Sequence, residues 1–456
     1  MKKTIFFILL LSTIFILNSC IFFEKDYLIT KSIPDGHFNR YIEFSEDIKE
    51  IKGVRAEGFI SISINSSVKS NLFYISHNVD LSDFDYLEIE YETKRGKVKK
   101  ENIIIKSPDL HKLIYIGADN NLNNLAVKDI QEIESVLKGY RGKNILITLV
   151  VDFENDQDSI YNLYNFDGIF YKSINFPFEY GFSNEIDSGK KDVFEKYVNE
   201  FFEPSVIRNP DVDLYLELWS HALAWVREKA INDDYYPSSV IDDNSSGKEL
   251  SIRQITDVLE SFNDIYNKKI DILSFSTCNM SYIEIIYQFS SFINYFVGSV
   301  EPMPGEGIKY NFIKYYDQGI EKMLEILVDD YEEEYNKVSF ATLMALKTEG
   351  LVEYINEIIE NENYIEKKEN YEIKYEFLGV KNLDIGEFLS SNSNFKENFI
   401  INSFVRKTED KTSEESINYL GIGMSYEISL SRINDYKELQ FYKDFEDWIN
   451  NSWKPF

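Results

Sequence analysis

A short, mainly apolar run reads Leu214-Tyr215-Leu216-Glu217-Leu218, which predicts a buried β-strand. Similar runs occur on either side of it, at 113–116, 145–151, 272–273 and 295–297. Amphipathic segments typical of helices separate these runs, at 125–137, 192–202, 251–262 and 283–292. Buried strands that alternate with helices form a parallel sheet covered on both faces. The sequence therefore predicts an α/β fold with a mostly parallel sheet.

One helix start is marked in the sequence. Ser251 and Gln254 have the spacing of a capping box, and Leu250 and Ile255 are placed as a hydrophobic staple around it. We therefore expect a helix to begin directly after Ser251.

The N-terminal part follows a different pattern. Residues 58–64, 71–75 and 86–91 alternate apolar and polar side chains, with breaks rich in Asn, Ser and Asp. Alternation with period two is typical of antiparallel strands. We predict a small β-rich module at 20–105, a catalytic core at 106–320, and an extension of helices and strands at 321–456 that belongs to the same fold.

Residues 1–19 have the composition of an export signal. Met1-Lys2-Lys3 is positively charged, and 5–17 contains only Ile, Phe, Leu, Ser and Thr. This run is shorter than the ~20 apolar residues that span a bilayer. Leu17-Asn18-Ser19-Cys20 resembles the bacterial lipobox, so we predict a lipoprotein signal peptide, a lipid on Cys20 and an extracytoplasmic, membrane-anchored bacterial protein. An ordinary secretory signal with an unmodified Cys20 is the alternative.

The cysteine count makes Cys278 notable. The chain has two cysteines, so lipidation of Cys20 leaves Cys278 as the one thiol and excludes an intramolecular disulfide. An exported protein with one unpaired cysteine either buries it or uses it.

The chain is strongly acidic, with 48 basic and 78 acidic residues and a net charge of −30. This charge argues against nucleic acid or an anionic membrane surface as a partner, and it favours encounter with cationic substrates. Solubility of a surface protein explains the same charge.

Several familiar sites are missing from the sequence. It contains no phosphate-binding loop, no His-Glu-x-x-His, no Cys-x-x-Cys and no Gly-x-Ser-x-Gly. A multi-histidine metal centre is not predicted, because the chain has four histidines, His37, His77, His111 and His221. The candidate catalytic residues are therefore Cys278 and the histidine that can reach it.

His221 and Cys278 both follow predicted strands. The carboxyl ends of parallel strands lie at one edge of a sheet, so we expect the two side chains there. Cys278 would attack a peptide carbonyl, and His221 would protonate the leaving amine and then activate water. The backbone N–H of Cys278 would hold the oxyanion, and the helix that follows would favour the thiolate. Spacing alone leaves open a packed core cysteine and a packed histidine.

A series of segments follows the order of a known family. They are 114–122 with its Ala-Asp-Asn-x-Leu turn, 144–152, Trp219-Ser220-His221-Ala222, 275–280 followed by Glu284, 299–310 with Pro304-Gly305-Glu306-Gly307, and the tail with Gly423-Met424-Ser425-Tyr426 and Trp448. Over roughly residues 110–450 the sequence resembles the clostripain family of cysteine peptidases. The resemblance implies a caspase-like α/β/α fold, Cys278 as nucleophile, His221 as its partner, and cleavage of proteins or peptides after Arg or Lys.

Two positions depart from the family pattern. Ser276 stands where the family has an Asp that helps to bind the basic P1 side chain, so Glu301 or Glu306 would have to supply that charge. Ala222 stands where the family has Gly after the catalytic His. Its N–H serves the oxyanion unless the position needs a positive φ, which costs a non-glycine residue roughly 1–2 kcal/mol.

The resemblance also implies two further properties to consider, a need for calcium and self-cleavage. Some relatives need calcium, and four acidic residues alternate between 152 and 158, namely Asp152, Glu154, Asp156 and Asp158. These residues do not complete an EF-hand, so the sequence favours a solvated acidic loop and we assign no metal ligand. We predict no required cofactor, and a need for Ca²⁺ stays open. Relatives are often cut after the catalytic His, where Lys229 and Lys248 lie in a polar stretch.

The sequence therefore predicts a surface-anchored cysteine endopeptidase. The alternative is a catalytically impaired peptidase fold that serves in binding or adhesion, which Ser276 and Ala222 favour. A third hypothesis is a peptidase that processes a single partner.

Overall fold

The computed structural model describes most of the chain between residues 28 and 449. The described residues are 28–35, 40–45, 47–58, 60–62, 64–66, 71–75, 81, 83–154, 157–222, 239–243, 245–338, 341–360, 375–377, 380–384, 394–405, 420–428, 433–447 and 449. The predicted signal peptide 1–19, Cys20, Asp156, Lys229 and Trp448 lie outside them. The chain divides into two compact units, Met1–Ile33 with His37–Lys106 and Pro34–Gly36 with Ser107–Phe456.

The N-terminal unit is β-rich, as the fold prediction stated. Side chains of its longest alternating strand are buried at every second position, among them Leu87, Ile89 and Tyr91. The strands are β1 (Ser32–Pro34), β2 (Arg40–Glu43), β3 (Ile48–Ala56), β4 (Ile60–Ser61), β5 (Ile64–Ser66), β6 (Leu72–Ile75), β7 (Tyr86–Thr93) and β8 (Val98–Lys106). They form a sheet in the order β1-β8-β7-β3-β4 and a second sheet in the order β2-β6-β5.

A large sheet organises the second unit. Its strands are β9 (Leu110–Ala118), β10 (Ile145–Phe153), β11 (Ser159–Phe166), β12 (Ile169–Asn175), β13 (Asp213–Trp219), β16 (Ile270–Ser276), β17 (Ile293–Gly298), β18 (Thr342–Lys347) and β21 (Ile400–Val405). Their order is β12-β11-β10-β9-β13-β16-β17-β18-β21. The five central strands from β10 to β17 run parallel. On each side two further strands follow, and each of them pairs antiparallel with the strand before it.

Smaller sheets and helices complete this unit. The short strands are β14 (Ser239–Asp243), β15 (Lys248–Ser251), β19 (Tyr375–Phe377), β20 (Val380–Asp384) and β22 (Gly423–Ile428). The helices are α1 (Asn123–Gly139), α2 (Lys191–Arg208), α3 (Ile252–Tyr266), α4 (Ile283–Phe289), α5 (Ile320–Tyr335), α6 (Leu351–Glu360), α7 (Asn394–Phe399), α8 (Ile433–Tyr436) and α9 (Gln440–Asp444), with 3₁₀ turns at Pro177–Tyr180 and Asn311–Gln318. Within the described residues, none of these helices has the length and apolar character needed to cross a bilayer.

Helices cover both faces of the large sheet, as β9 shows. Tyr115 packs edge-on against Phe194 of α2, while Ile114 and Ile116 join a core cluster with Ile130 of α1 and residues of α5. Every residue of β9 is buried for this reason. The predicted three-layer arrangement with a mostly parallel sheet is confirmed.

The predicted helix start after Ser251 is also observed. The Ser251 hydroxyl accepts a hydrogen bond from the Gln254 N–H at 3.3 Å, and the Gln254 side chain accepts one from the Ser251 N–H at 2.9 Å. These two bonds satisfy backbone donors that a helix start leaves without an intrahelical partner. The capping box fixes the junction between β15 and α3.

Candidate active site

The two candidate catalytic residues leave the sheet from neighbouring strands. Parallel strands β13 and β16 pair in register, with Trp219 opposite Ser276. His221 follows Trp219 by two residues, and Cys278 follows Ser276 by two residues. Adjacent strands lie ~4.8 Å apart, so the two backbone segments leave the same edge side by side.

A loop that follows β17 holds the segment around Cys278. The Met280 N–H donates to the Ser299 carbonyl at 2.7 Å, and the Asn279 N–H donates to the Glu301 carbonyl at 3.3 Å. The thiol itself accepts a hydrogen bond from the Met303 N–H at 3.3 Å. Cys278 is partly buried beneath this loop.

Burial controls the ionisation of this thiol. It raises the pKa of Cys278 above the ordinary value, and the hydrogen bond from Met303 acts against that rise. Helix α4 begins five residues beyond Cys278, and the dipole of a helix acts mainly within its first turn. The expectation that this helix favours the thiolate stays a prediction, and burial is the largest influence on the pKa of Cys278.

His221 is held by a turn at the end of β9. Its Nε2 lies 2.7 Å from Oδ1 of Asn121. An amide oxygen only accepts, so Nε2 carries the proton in this pairing. The Asn120 side chain fixes the turn by donating to the Gly117 carbonyl at 3.0 Å and accepting from the Leu122 N–H at 2.9 Å. Asn121 thus orients the imidazole, a role that the sequence analysis missed.

The structure does not describe a hydrogen bond between Cys278 and His221. The thiol bonds to Met303, and the imidazole bonds to Asn121. Loose contact between catalytic groups is common in proteins without substrate. The strand register brings the two segments together, while the pairing of the side chains stays a prediction.

Ala222 fits its position without backbone strain. Among the described residues, positive φ outside glycine occurs at Glu57, Asp167, Asn267 and Asn279, and Ala222 is not one of them. Its side chain is buried. Replacement of Gly by Ala here carries no left-handed penalty, so its N–H stays compatible with an oxyanion site.

Ser276 belongs to a buried polar network beneath the sheet edge. Its hydroxyl donates to Oε1 of Glu217 at 2.6 Å, and the Tyr310 hydroxyl donates to the same oxygen at 2.8 Å. Lys112 Nζ lies 2.6 Å from Oε2 of Glu217 and 3.4 Å from the centroid of the Tyr215 ring. Burial lowers the pKa of Lys112 to about 8, although Glu217 opposes the shift.

This network was not predicted. One signal for it was present, since Glu217 is a charged residue inside an apolar run, and a buried charge requires a partner. Lys112, 105 positions away in the sequence, supplies that partner, and their charges compensate each other.

The two acidic candidates for substrate binding differ in their surroundings. Glu301 is partly buried, and burial raises its pKa to about 7. Glu306 is exposed and lies 3.7 Å from Lys128 of α1. Directly after Glu306, Gly307 has a φ of +61°, and a Cβ there would lie 3.4 Å from the Trp219 indole nitrogen and 3.8 Å from the Ser276 Cβ. The 301–307 loop therefore lies against the end of β13 and β16.

The predicted solvated acidic loop at 152–158 is wrong in part. Glu154 is exposed, but Asp152 and Asp158 are buried. Asp158 accepts hydrogen bonds from the Phe153 N–H at 2.9 Å and the Ile186 N–H at 2.5 Å. These carboxylates therefore belong to the interior of the structure.

Comparisons with known proteins agree with the sequence resemblance. The sequence model of the clostripain family matches residues 114–451. No curated protein gives a significant sequence match. An inactive zymogen of a C11 protease from Parabacteroides distasonis superposes with a TM-score of 0.55 at 16% identity, over 77% of this chain and 100% of that chain.

A second structural neighbour is a secreted C11 cysteine protease from Bacteroides thetaiotaomicron in complex with an irreversible peptide inhibitor. Its TM-score is 0.54 at 17% identity, and the match covers 75% of this chain and 98% of that chain. At this identity the likeness shows the fold, and the caspase-like α/β/α prediction is confirmed.

The raised pKa of Cys278 predicts how the thiol reacts with pH. In a chain with Cys20→Ser, Cys278 is the one thiol, and its alkylation by iodoacetamide requires the thiolate. We expect the alkylation rate to rise with pH through a midpoint above that of the same thiol in the urea-unfolded chain. A midpoint at or below the unfolded value would show that another group stabilises the thiolate.

Proposed function

Because the chain belongs to the clostripain family of cysteine peptidases, we propose that it is a surface-anchored endopeptidase that cleaves peptide bonds through Cys278 and His221. One observation carries the assignment of the dyad. Trp219 pairs in register with Ser276, so His221 and Cys278 each lie two residues beyond the same edge of the sheet.

The chemistry follows from the groups at this edge. Cys278 passes its proton to His221 and attacks the substrate carbonyl, which gives a tetrahedral oxyanion. The N–H groups of Ala222 and Cys278 stabilise this charge, and one such donor contributes roughly 3–4 kcal/mol in hydrolases. His221 then protonates the leaving amine, and the acyl-enzyme is hydrolysed by water that His221 activates.

The buried thiol makes the histidine important. Since burial raises the pKa of Cys278, little thiolate forms near neutral pH without a base. The pairing with Asn121 places the proton of the neutral ring on Nε2, so the lone pair is on Nδ1, the atom that we propose accepts the thiol proton.

Two variants test the dyad. We expect Cys278→Ala and His221→Ala each to lower the cleavage rate of an unfolded protein substrate by at least ~1,000-fold, since each removes a group that bonds or transfers a proton in the reaction. Ser246→Ala, on the β14–β15 hairpin, is the matched control that should retain activity. Full activity of Cys278→Ala would exclude the proposed nucleophile.

The same test distinguishes the alternative function. A protein with a protonated, capped thiol and Ser276 in place of the acid fits a binding or adhesion role. Wild-type protein that is folded yet cleaves no substrate and does not react with a thiol-directed peptidyl probe would favour that role.

We propose that substrates carry Arg or Lys at P1, with Glu301 or Glu306 as the acidic partner. Ser276 is neutral, and the charge of Glu217 beneath it is compensated by Lys112. The 301–307 loop carries both acidic candidates and lies against the ends of β13 and β16. The negative charge of the chain favours the approach of cationic substrates.

Substrates with Lys or its neutral isostere norleucine at P1 test this specificity. We expect Glu301→Gln or Glu306→Gln to reduce kcat/KM for the Lys substrate by at least ~10-fold and to leave kcat/KM for the norleucine substrate unchanged.

If Glu301 is the partner, its pKa of about 7 adds a pH signature. The carboxyl is neutral below that pH, so the preference for Lys should rise as pH passes upward through 7. Equal cleavage of both substrates by the wild type would contradict a basic P1.

We further propose that a lipid on Cys20 anchors the protein outside the cytoplasm. The charged Met1-Lys2-Lys3, the apolar run to Leu17 and the lipobox-like Leu17-Asn18-Ser19-Cys20 support this. Expression with radiolabelled palmitate should label the wild type and not Cys20→Ser. Label retained in Cys20→Ser, or soluble unlabelled wild type, would contradict the anchor.

A further inference from the structure

Asn279, the residue directly after Cys278, has a left-handed backbone. Its φ is +56°, in a region that glycine adopts freely and that Asn tolerates better than most other L-residues. Its side chain is buried, and its amide forms no hydrogen bond with another described residue. The backbone conformation, rather than a side-chain hydrogen bond, therefore explains why Asn fits this position.

The other left-handed residues outside glycine have an ordinary local reason in the described parts of the chain. Glu57 and Asp167 each precede a left-handed glycine in a turn between two antiparallel strands. Asn267 directly follows α3, where a left-handed residue commonly ends a helix. Asn279 lies in neither setting, because it belongs to the irregular segment between β16 and α4. Left-handed residues of this kind concentrate at functional sites.

The chain is fixed on both sides of this residue. Before it, β16 ends at Ser276 in the register of the large sheet. After it, the N–H groups of Met280 and Ser281 both donate to the Ser299 carbonyl, at 2.7 and 2.9 Å. The change of chain direction is therefore confined to residues 277–279.

This turn also determines which groups of Cys278 stay available. The Asn279 N–H donates to the Glu301 carbonyl at 3.3 Å, and the thiol accepts from the Met303 N–H at 3.3 Å. The Cys278 N–H, in contrast, bonds to no other residue that the structure describes. Because both ends of the turn are fixed, a change of φ at Asn279 has to be compensated in the backbone of Thr277 and Cys278. Such a change would move the thiol and this N–H together.

We infer that Asn279 is a positioning residue for the nucleophile, whose left-handed backbone sets the direction of the Cys278 thiol and of the Cys278 N–H. This role rests on the proposed function, since it concerns the same nucleophile. Position 279 should accept a residue according to its freedom to adopt positive φ, and not according to the chemistry of its side chain.

Two substitutions separate the backbone from the side chain. Asn279→Gly and Asn279→Ala both remove the amide and differ by one methyl group, but only glycine adopts positive φ without steric cost. In the full chain with Cys20→Ser, we expect Asn279→Ala to lower kcat on an unfolded protein substrate roughly 10-fold with little change in KM, since this factor corresponds to the steric cost of a left-handed alanine. Asn279→Gly should keep kcat within ~3-fold of the parent.

Another left-handed asparagine supplies the matched control. Asn267 has a φ of +48° and is exposed at the end of α3. Asn267→Ala should lower the melting temperature, as Asn279→Ala does, because both substitutions place alanine at positive φ. It should leave kcat unchanged. A loss of kcat that is confined to Asn279→Ala is therefore not explained by lower stability.

Alkylation by iodoacetamide reports on the thiol without any cleavage. Cys278 is the one thiol of the Cys20→Ser chain, and the reaction requires its thiolate. Asn279→Ala should shift the pH midpoint of the alkylation rate, whereas Asn279→Gly and Asn267→Ala should keep the midpoint of the parent. If the folded parent is alkylated but cleaves no substrate, the proposed function fails, and the midpoints alone decide whether Asn279 positions the thiol.

Two results would overturn the inference. Equal losses of kcat in Asn279→Gly and Asn279→Ala would assign the effect to the missing amide rather than to φ. A folded Asn279→Ala chain with the kcat and the alkylation midpoint of the parent would show that the turn holds Cys278 whatever residue follows. If Asn279→Ala does not fold, Asn279→Gly still decides, because a folded glycine variant that loses ~10-fold or more in kcat contradicts a role of φ alone.

Discussion

The in-register pairing of β13 with β16 is the constraint on which the rest of the site depends. Both strands are buried on both faces by helices, so their side chains cannot meet a substrate along the sheet. Polar chemistry is therefore confined to the residues just beyond the carboxyl ends. Because Trp219 and Ser276 lie opposite each other, His221 and Cys278 leave the sheet at the same level.

Charge is distributed unevenly along this edge. Beneath β13 and β16, Glu217 is compensated by Lys112 and bound by Ser276 and Tyr310. Beyond β9 and β10, several carboxylates lie together, and Asp152 has no hydrogen-bond partner in the described structure. The turn at 119–121 joins the two regions, since Asp119 belongs to the carboxylates and Asn121 holds His221.

Periodicity predicted the layers, and the position of His221 and Cys278 after strands predicted their common edge. The partners of these residues could not be predicted, because they come from distant segments. Lys112 pairs with Glu217, and Asn121 bonds to His221 across 100 positions in the sequence. Neither contact can be predicted until the order of the strands in the sheet is known. The raised pKa of Cys278 depends on how the Met303 loop covers it, which no local pattern encodes. Alternating acidic residues favoured an exposed loop, but tertiary packing buried Asp152 and Asp158.

Cys278 is the proposed nucleophile at this edge, and the whole proposed reaction depends on it. The direct test is to incubate the folded chain with a peptidyl acyloxymethyl ketone that carries Lys at P1. Peptide mapping by mass spectrometry then identifies the residue that the probe has modified. We expect a single covalent adduct on Cys278 that is lost in His221→Ala. A folded wild-type chain without an adduct, or with the adduct on another residue, would contradict it.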